Sequence, residues 1–222
     1  MKGARYLAVT FAAALVAGCG TADRRPPSTA SVTVEEQPVS AGWKGVATVA
    51  DESRIIRLDL AWQQALREAK AKHSSDIASE GVLLTPKTAL PRPQPTPGSY
   101  NCRMISIGNP DKKAAAFTKF KPFFCYVLSD DDGVLTIVKQ TGSQRPAGRL
   151  WDDDDPTRMI FLGSLALADE KEPLAYGEDQ NRNMAGVFER IAPFTWRLVI
   201  PWPQSGADLE VFELTPVADQ PE

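Results

Sequence analysis

The sequence has little of what catalytic and metal-binding proteins usually need. It contains one histidine, His73, and three cysteines in 222 residues. It has no G-x-S-x-G elbow, no H-E-x-x-H motif, no P-loop, and no S-x-x-K followed by a second lactamase-type motif. A lone histidine without a nucleophile beside it is more often a helix-end or surface residue than a catalytic base. We therefore predict a protein that is not an enzyme, with no catalytic residue, no metal ligand and no cofactor.

The chain also lacks an excess of positive charge. Its formal net charge is −3, and loss of an N-terminal segment containing Lys2 and Arg5 would make it more acidic. Domains that bind nucleic acids are usually basic, because they neutralise phosphates. The composition therefore argues against a nucleic-acid partner.

Long apolar runs are missing too, since the longest, Tyr6–Val16, is too short to cross a bilayer. It follows Lys2 and Arg5, as in a signal peptide. The next residues, Val16-Ala17-Gly18-Cys19, resemble a bacterial lipobox, in which the cysteine becomes diacylated and starts the mature chain. The alternative is an ordinary secretory cleavage site with an incidental cysteine. We predict a membrane anchor at Cys19. Gly20, by analogy with lipoprotein sorting, favours an outer-membrane lipoprotein facing the periplasm.

Composition then divides the rest of the chain. After a lipoprotein signal peptide (1–18), we expect a flexible tether (19–41), a helical segment (42–81), a proline-rich connector (82–99) and an antiparallel β domain (100–217). Apolar residues at three- and four-residue spacing predict a helix over Val49–Ala71. A shorter helix is expected over Ser75–Glu80, ending at Gly81.

From Tyr100 onward, short runs rich in β-branched and aromatic residues alternate with turn-forming clusters. The predicted strands are Tyr100–Ile107, Pro122–Leu128, Val134–Gln140, Ala147–Trp151, Arg158–Leu167, Met184–Ile191, Thr195–Pro201 and Leu209–Leu214. We therefore predict a mainly β (α+β) protein with an N-terminal helical segment and an eight-stranded antiparallel barrel-like or sandwich domain. Trp196, Leu198, Ile200 and Trp202 would share one face, and such bulky residues favour a filled interior over a hollow one.

Two cysteines remain in the β domain, Cys102 and Cys125. An even count in an oxidising compartment predicts a disulfide between them. The alternative, a metal site, lacks ligands, because the single histidine is distant in sequence.

The segment Thr141–Pro146 places polar residues between two apolar strands. Ser143, Gln144 and Arg145 are candidate binding residues at a barrel rim, with Arg145 suited to a carboxylate or phosphate. The same residues would equally satisfy backbone groups in a bulged corner, and this interpretation is slightly favoured.

A long polar segment, Tyr176–Gly186, supplies two further candidate binding residues. Arg182 and Arg190 would join Arg145 if the loops met at one end of a barrel. The acidic turns Asp130–Asp132 and Asp152–Asp155 are interpreted as solvated turns rather than calcium sites, because calcium needs six to eight oxygen ligands.

Several motifs carry a resemblance to a known family: Tyr100-Asn101-Cys102-Arg103, Phe123-Phe124-Cys125, Thr141-Gly142-Ser143-Gln144-Arg145-Pro146, Phe161-Leu162-Gly163, Met184-Ala185-Gly186-Val187-Phe188-Glu189-Arg190-Ile191 and Trp196-Arg197-Leu198-Val199. Over about Trp43 to Val217 the chain resembles proteobacterial envelope lipoproteins with domain of unknown function 4893. The resemblance implies an envelope location and no established activity. A looser similarity, at the level of fold, is to periplasmic protease and lysozyme inhibitors and to calycin-type ligand binders.

These observations favour a non-enzymatic binding module for a protein or envelope component, of inhibitor or assembly-factor type. The alternative is a calycin-like carrier of a small apolar ligand, which requires a hollow region of roughly 300 Å³ or more in the barrel. An envelope hydrolase using Ser143 or a pair of acids is the least favoured hypothesis.

Overall fold

The protein was analysed as a computed structural model that describes residues 42–111, 114–131, 133–168 and 170–218. The predicted signal peptide, the lipidation site Cys19 and the tether lie outside the described residues. The described part is mainly β, with two N-terminal helices and a closed eight-stranded antiparallel barrel that carries one extra strand. The predicted fold class is therefore confirmed, and the barrel is the form it takes.

The helical segment is broken in the middle. It consists of a 3₁₀ turn at Trp43–Gly45, helix α1 (Val49–Ile56), helix α2 (Leu58–Ser79) and a second 3₁₀ turn at Gly81–Leu84. Arg57, with φ −93° and ψ 19°, separates the two α-helices, where the sequence predicted one continuous helix. Thr48 caps α1, because its hydroxyl accepts a hydrogen bond from the Asp51 amide at 3.1 Å. His73 has non-helical dihedrals inside α2, which therefore bends there.

The described residues form nine strands, all paired antiparallel. The strands are β1 (Gly98–Ile107), β2 (Phe117–Lys119), β3 (Phe123–Ser129), β4 (Leu135–Lys139), β5 (Gln144–Asp152), β6 (Arg158–Leu167), β7 (Asn183–Ala192), β8 (Thr195–Pro201) and β9 (Leu209–Pro216). From β3 to β9 each strand pairs with the next one in sequence. The first half of β1 pairs with β3 and its second half with the short strand β2.

Pairing of β1 with β9 closes the barrel. Their register runs from Tyr100 opposite Pro216 to Ile107 opposite Leu209, so the first and last long strands are joined along most of their length. Closure pairs the edges of β1 and β9 that an open sheet would expose, while the very apolar strand β6 is paired on both sides with β5 and β7.

Side chains alternate between two cores, one on each face of the sheet. Outward-facing residues of β6 to β9, such as Ile160, Val187 and Val199, are buried together with the helices. In α2 the fully buried Ala61 and Ala65 belong to this outer core, and their small size lets the helix lie close to the sheet.

Arg197 fastens the helical segment to the barrel. Although charged, it is fully buried on the outer face of β8. Its guanidinium donates to the Glu189 carboxylate at 2.7 Å and to the backbone carbonyls of Leu83 and Thr85 at 3.1 and 2.7 Å. It also lies 5.2 Å from the ring centroid of Trp62. A buried charge is tolerated when it is paired and hydrogen-bonded in this way.

The inner core fills the middle of the barrel. Gly148 and Gly163 face each other in register on β5 and β6, and a Cβ on either would approach the Phe161 ring to 2.7 Å. Glycine at both positions therefore leaves room for that buried ring. Trp196, Leu198 and Ile200 point inward as predicted, but Trp202 does not. It follows the end of β8, has φ 44°, and packs against the outer core.

Candidate functional site

The two ends of the barrel are built differently. A depression of about 470 Å³, lined by Arg92, Phe194 and Pro216 among others, lies at the first end. We call this end the connector end, because the proline-rich connector crosses it. Arg190 donates to the carbonyl of Pro91 at 2.6 Å, and the Trp196 indole N–H donates to that of Pro93 at 2.9 Å. The Tyr100 hydroxyl donates to a third connector carbonyl at 2.6 Å. Burial raises the pKa of Tyr100 to about 12, so this hydroxyl keeps its proton at neutral pH.

The opposite end, which we call the mouth, contains a cavity of about 470 Å³. Its apolar walls are formed by Met104, Phe120, Phe123, Pro146, Leu165, Met184, Ile200, Pro203 and Phe212. Its polar lining residues are Lys121, Lys139, Gln144, Asn181, Arg182, Asn183, Gln204, Ser205 and Glu210. A largely apolar cavity of this volume with a few polar groups is typical of small-ligand sites. The interior is therefore filled in the middle but hollow at the mouth.

Side-chain size explains why one end is open. At the connector end Tyr100 and Trp196 meet edge to face, with ring centroids 5.9 Å apart. At the mouth the inward positions of β1, β6 and β7 hold Met104, Leu165 and Met184 instead. These narrower, more flexible side chains leave space beside the Phe120, Phe123 and Phe212 rings that also line the mouth.

Lys139 is a cation on the inner face of the mouth. It ends β4, on the same side of the strand as Ile137, and is partly buried. Its ammonium lies 4.3 Å from the ring centroid of Phe123, a cation–π contact. Burial, and secondarily the nearby charge of Arg145, lowers the pKa of Lys139. Lys121, by contrast, is exposed at the rim.

Glu210 is the only carboxylate among the residues that line the cavity. It faces inward on β9, on the same side as Phe212 and Leu214, and is only 9% exposed. Burial raises the pKa of Glu210, and a hydrogen bond from the Ser205 hydroxyl partly opposes this effect. An acid of this kind in an apolar cavity is a typical feature of a functional site.

Two of the predicted binding residues, Gln144 and Arg182, line the mouth. Gln144 is exposed at the start of β5. Arg182 donates to both carboxylate oxygens of Glu170, at 2.6 and 2.8 Å, and lies 3.4 Å from the Asp179 carboxylate. Its charge is therefore largely neutralised within the protein.

Arg145 holds a corner of the backbone beside the mouth. Its guanidinium donates to the carbonyls of Gly142 and Ala168, at 2.9 and 2.6 Å, and to that of Glu170. The Ser143 carbonyl accepts a hydrogen bond from the Ala168 amide at 2.9 Å. The Ser143 side chain is exposed. These contacts match the bulged-corner interpretation of Thr141–Pro146.

Arg190 lies at the connector end, so the proposed meeting of Arg145, Arg182 and Arg190 at one barrel end does not occur. Arg145 and Arg182 are neighbours, since both bind Glu170.

The sequence did not lead us to predict Lys139 and Glu210 as lining residues of the site. A signal for them existed, because both interrupt the apolar alternation of a strand on its inward side.

The acidic turn after β5 is occupied by protein contacts. Asp153 accepts from the Trp43 indole N–H at 2.8 Å and from Arg158 at 2.5 Å. Asp155 accepts from the amide and hydroxyl of Thr157. Within the ranges that the structure describes, no group of three or more His, Cys, Asp or Glu side chains is placed to hold a metal ion.

Cys102 and Cys125 form a disulfide, as predicted. Their Cα atoms are 5.9 Å apart on the paired strands β1 and β3, within the usual range for a disulfide. Both sulfurs belong to the inner core, between the connector end and the mouth.

The fold and the cavity define a class: a disulfide-bonded antiparallel barrel with a helical cover, one end crossed by the connector and one end with an interior cavity. The chain belongs to the family described as "Domain of unknown function (DUF4893)", whose model matches residues 43–214. Neither the curated proteins nor the solved structures yield a significant match. None of the helices in the described ranges is both long and apolar enough to cross a bilayer.

Proposed function

We propose that this protein is a non-enzymatic, lipid-anchored binding protein whose barrel mouth holds a small ligand with an apolar body. The observation that carries the proposal is the cavity of about 470 Å³ at one barrel end, lined mainly by apolar side chains. It exceeds the roughly 300 Å³ that a small-ligand site requires. Glu210 and Lys139 provide polar groups that would orient the ligand inside it.

The rigid part of the molecule supports this role. The disulfide and the connector contacts tie together the strands that continue into the mouth, so we expect the cavity to be preformed. A preformed site loses less conformational entropy on binding than one that must be ordered. Calycin-like carriage of a small ligand, the alternative drawn from the sequence, is therefore the better supported hypothesis.

A titration with the neutral, environment-sensitive dye N-phenyl-1-naphthylamine tests the cavity. We expect saturable binding to the wild-type protein, and loss of binding in Leu165→Trp, because the indole would fill the mouth. Val49→Trp is the matched control, since Val49 is 84% exposed at the start of α1 and does not line the cavity. Equal binding by both variants would contradict the proposal.

A second candidate function is docking of a protein or envelope component on the outer face of the barrel. The supporting observation is an exposed apolar stripe on β3, where Phe124 is 55% and Leu128 38% exposed. Affinity capture from envelope extracts should then return a partner with wild-type protein and not with Phe124→Ser/Leu128→Ser. Recovery of no reproducible partner would remove this candidate.

A hydrolase is the weakest of the three hypotheses. Ser143 lies at an exposed corner, and no described histidine or carboxylate forms a hydrogen bond with its hydroxyl. The acids of the turn after β5 are held by protein groups rather than paired across a cleft.

The location is part of the proposal. Lys2, Arg5, the apolar run Tyr6–Val16 and Cys19 support an outer-membrane lipoprotein facing the periplasm. Cys19→Ala should release the protein from the membrane fraction of its cells. Continued sedimentation of this variant with membranes would refute lipidation as the attachment.

A further inference from the structure

We infer that the mouth selects amphiphiles with an anionic head group, a carboxylate or a phosphate monoester, attached to an apolar tail. This inference rests on the proposed function, because it names the chemical class of ligand for the same cavity. It follows from which charges line the mouth and which of them already have partners.

The lining contains three cations, Lys121, Lys139 and Arg182, and one carboxylate, Glu210. Arg182 is paired with Glu170 and Asp179 and contributes little net charge. Neither Lys121 nor Lys139 forms an ion pair with any residue that the structure describes. The mouth thus holds two cations that lack an internal counter-ion among the described residues.

A bound anion would stabilise the Lys139 ammonium more than the other cations of the mouth. The Lys139 ammonium is partly desolvated against the Phe123 ring, and Arg145 is near enough to disfavour its charge. An anionic oxygen placed beside it would replace lost hydration with a charge-assisted hydrogen bond. Lys121, on the rim of the same cavity, would interact with that anion through solvent and steer it inward.

Glu210 does not oppose this charge selection. Burial and the Ser205 hydroxyl account for the altered pKa of this carboxyl, and neither Lys121 nor Lys139 contributes to it. In the closed sheet, β1 and β3 separate the strand of Glu210, β9, from the strand of Lys139, β4. Burial disfavours the charged form of this carboxyl, and its protonated form would donate a hydrogen bond to a ligand.

The tail has an apolar place to lie between these two polar regions. Met104, Met184, Ile200, Phe123 and Phe212 belong to the apolar lining of the cavity. Methionine side chains adapt to tails of different shape, so we expect selectivity for the head group and tolerance for the tail.

The test compares two fluorescent probes that differ only in head-group charge, 11-(dansylamino)undecanoic acid and its methyl ester. We expect the acid to bind the wild-type protein about tenfold more tightly than the ester, as one charge-assisted hydrogen bond provides. Lys139→Gln should remove most of this preference and Lys121→Gln part of it, because each variant should weaken binding of the acid more than binding of the ester. Lys70→Gln, at an exposed site on α2, is the matched control and should change neither affinity.

Competition then distinguishes the two anionic head groups. Laurate and dodecyl phosphate are titrated against the bound acid probe, and displacement by either, but not by dodecanol, supports the inference and identifies the preferred group. Circular dichroism melting of Lys139→Gln checks that its fold is intact. Lys121 is exposed, so Lys121→Gln serves even if the Lys139 variant unfolds.

Other outcomes separate this inference from the function on which it rests. Equal affinity for acid and ester overturns the head-group selection and leaves the cavity proposal standing. Lysine variants that weaken acid and ester alike also overturn it, because the lysines would then act through shape alone. If neither probe binds and the neutral naphthylamine dye does not bind either, the proposed function itself fails.

Discussion

The two ends of the barrel share the same eight strands but use them in opposite ways. At the connector end, large rings fill the interior, and Arg190 and Trp196 tie the connector across the opening. At the mouth, Leu165 and the methionines leave a cavity, and charged residues take inward positions. One end thus resembles an ordinary protein core and the other a binding site.

This difference indicates that one part of the barrel mainly stabilises the fold and the other mainly serves binding. Buried rings and fully paired polar groups stabilise the fold. An open cavity and buried ionisable groups lower stability, and proteins keep such features mainly where function needs them. We therefore expect substitutions at the connector end and in the middle to affect unfolding, and substitutions at the mouth to affect binding.

The largest expected effect comes from a matched pair of leucine truncations. Leu214→Ala removes a fully buried side chain of the inner core beside Trp196, and should cost roughly 2–5 kcal/mol of unfolding free energy. Leu165→Ala enlarges a cavity that is already open and should cost well under half of that. Urea denaturation of both variants measures the difference, and equal losses would show that the two ends do not differ in packing.

Removal of the disulfide should cause the second-largest loss of stability. The disulfide closes a loop with a sequence separation of 23, for which the chain-entropy model gives roughly 3 kcal/mol. Cys102→Ala/Cys125→Ala is expected to lower the melting temperature while the folded fraction still binds dye at the mouth. A variant that melts like the wild type would show that the disulfide contributes nothing to stability.

Glu210 provides a pH-dependent test of the mouth. Its pKa is raised in the folded protein, so the folded state retains a proton that the unfolded state releases near its ordinary value of 4.5. Stability from this group is present below that pH and is lost as pH rises through the raised folded pKa. The loss is about 1.4 kcal/mol for each pH unit that separates the folded pKa from the unfolded one.

Glu210→Gln should therefore match the wild type at about pH 4 and exceed it in stability at about pH 8. Thermal melts of the two proteins across this range measure the difference. A Gln variant less stable than the wild type at the higher pH would show that the carboxylate is stabilised, not penalised, in the cavity.

Arg145 should give the smallest effect. Its hydrogen bonds go to backbone carbonyls at a partly exposed corner, so Arg145→Ala is expected to cost about 1 kcal/mol. Because these contacts are architectural, affinity for the neutral dye should stay within about twofold of the wild type, less than 1 kcal/mol. Loss of dye binding without loss of stability would show that the corner Thr141–Pro146 belongs to the binding site.

Much of the barrel could be predicted from sequence, because its signals are local. Each of the eight predicted strands overlaps an observed one, since β-branched and aromatic runs end at glycine, proline and aspartate turns. Strand β2 was missed because Phe117–Lys119 is only three residues long. The break at Arg57 was missed because neither glycine nor proline marks it.

The candidate site was harder to predict, because it depends on closure. Only the pairing of β1 with β9 makes one side of every strand an interior. Without that pairing, Lys139 and Glu210 look like ordinary charges in half-exposed strands. Gln144 and Arg182 were named as candidates because they lie in polar segments between strands, but sequence alone did not separate their end of the barrel from that of Arg190.

The most direct test of the functional mouth is photo-crosslinking with a diazirine-bearing undecanoic acid, followed by mass spectrometry of the labelled peptides. We expect labels on the mouth residues Met104, Leu165 and Met184, and protection of these sites by excess laurate. Labels confined to the connector end or to the outer stripe on β3, or labels that laurate does not reduce, would contradict it.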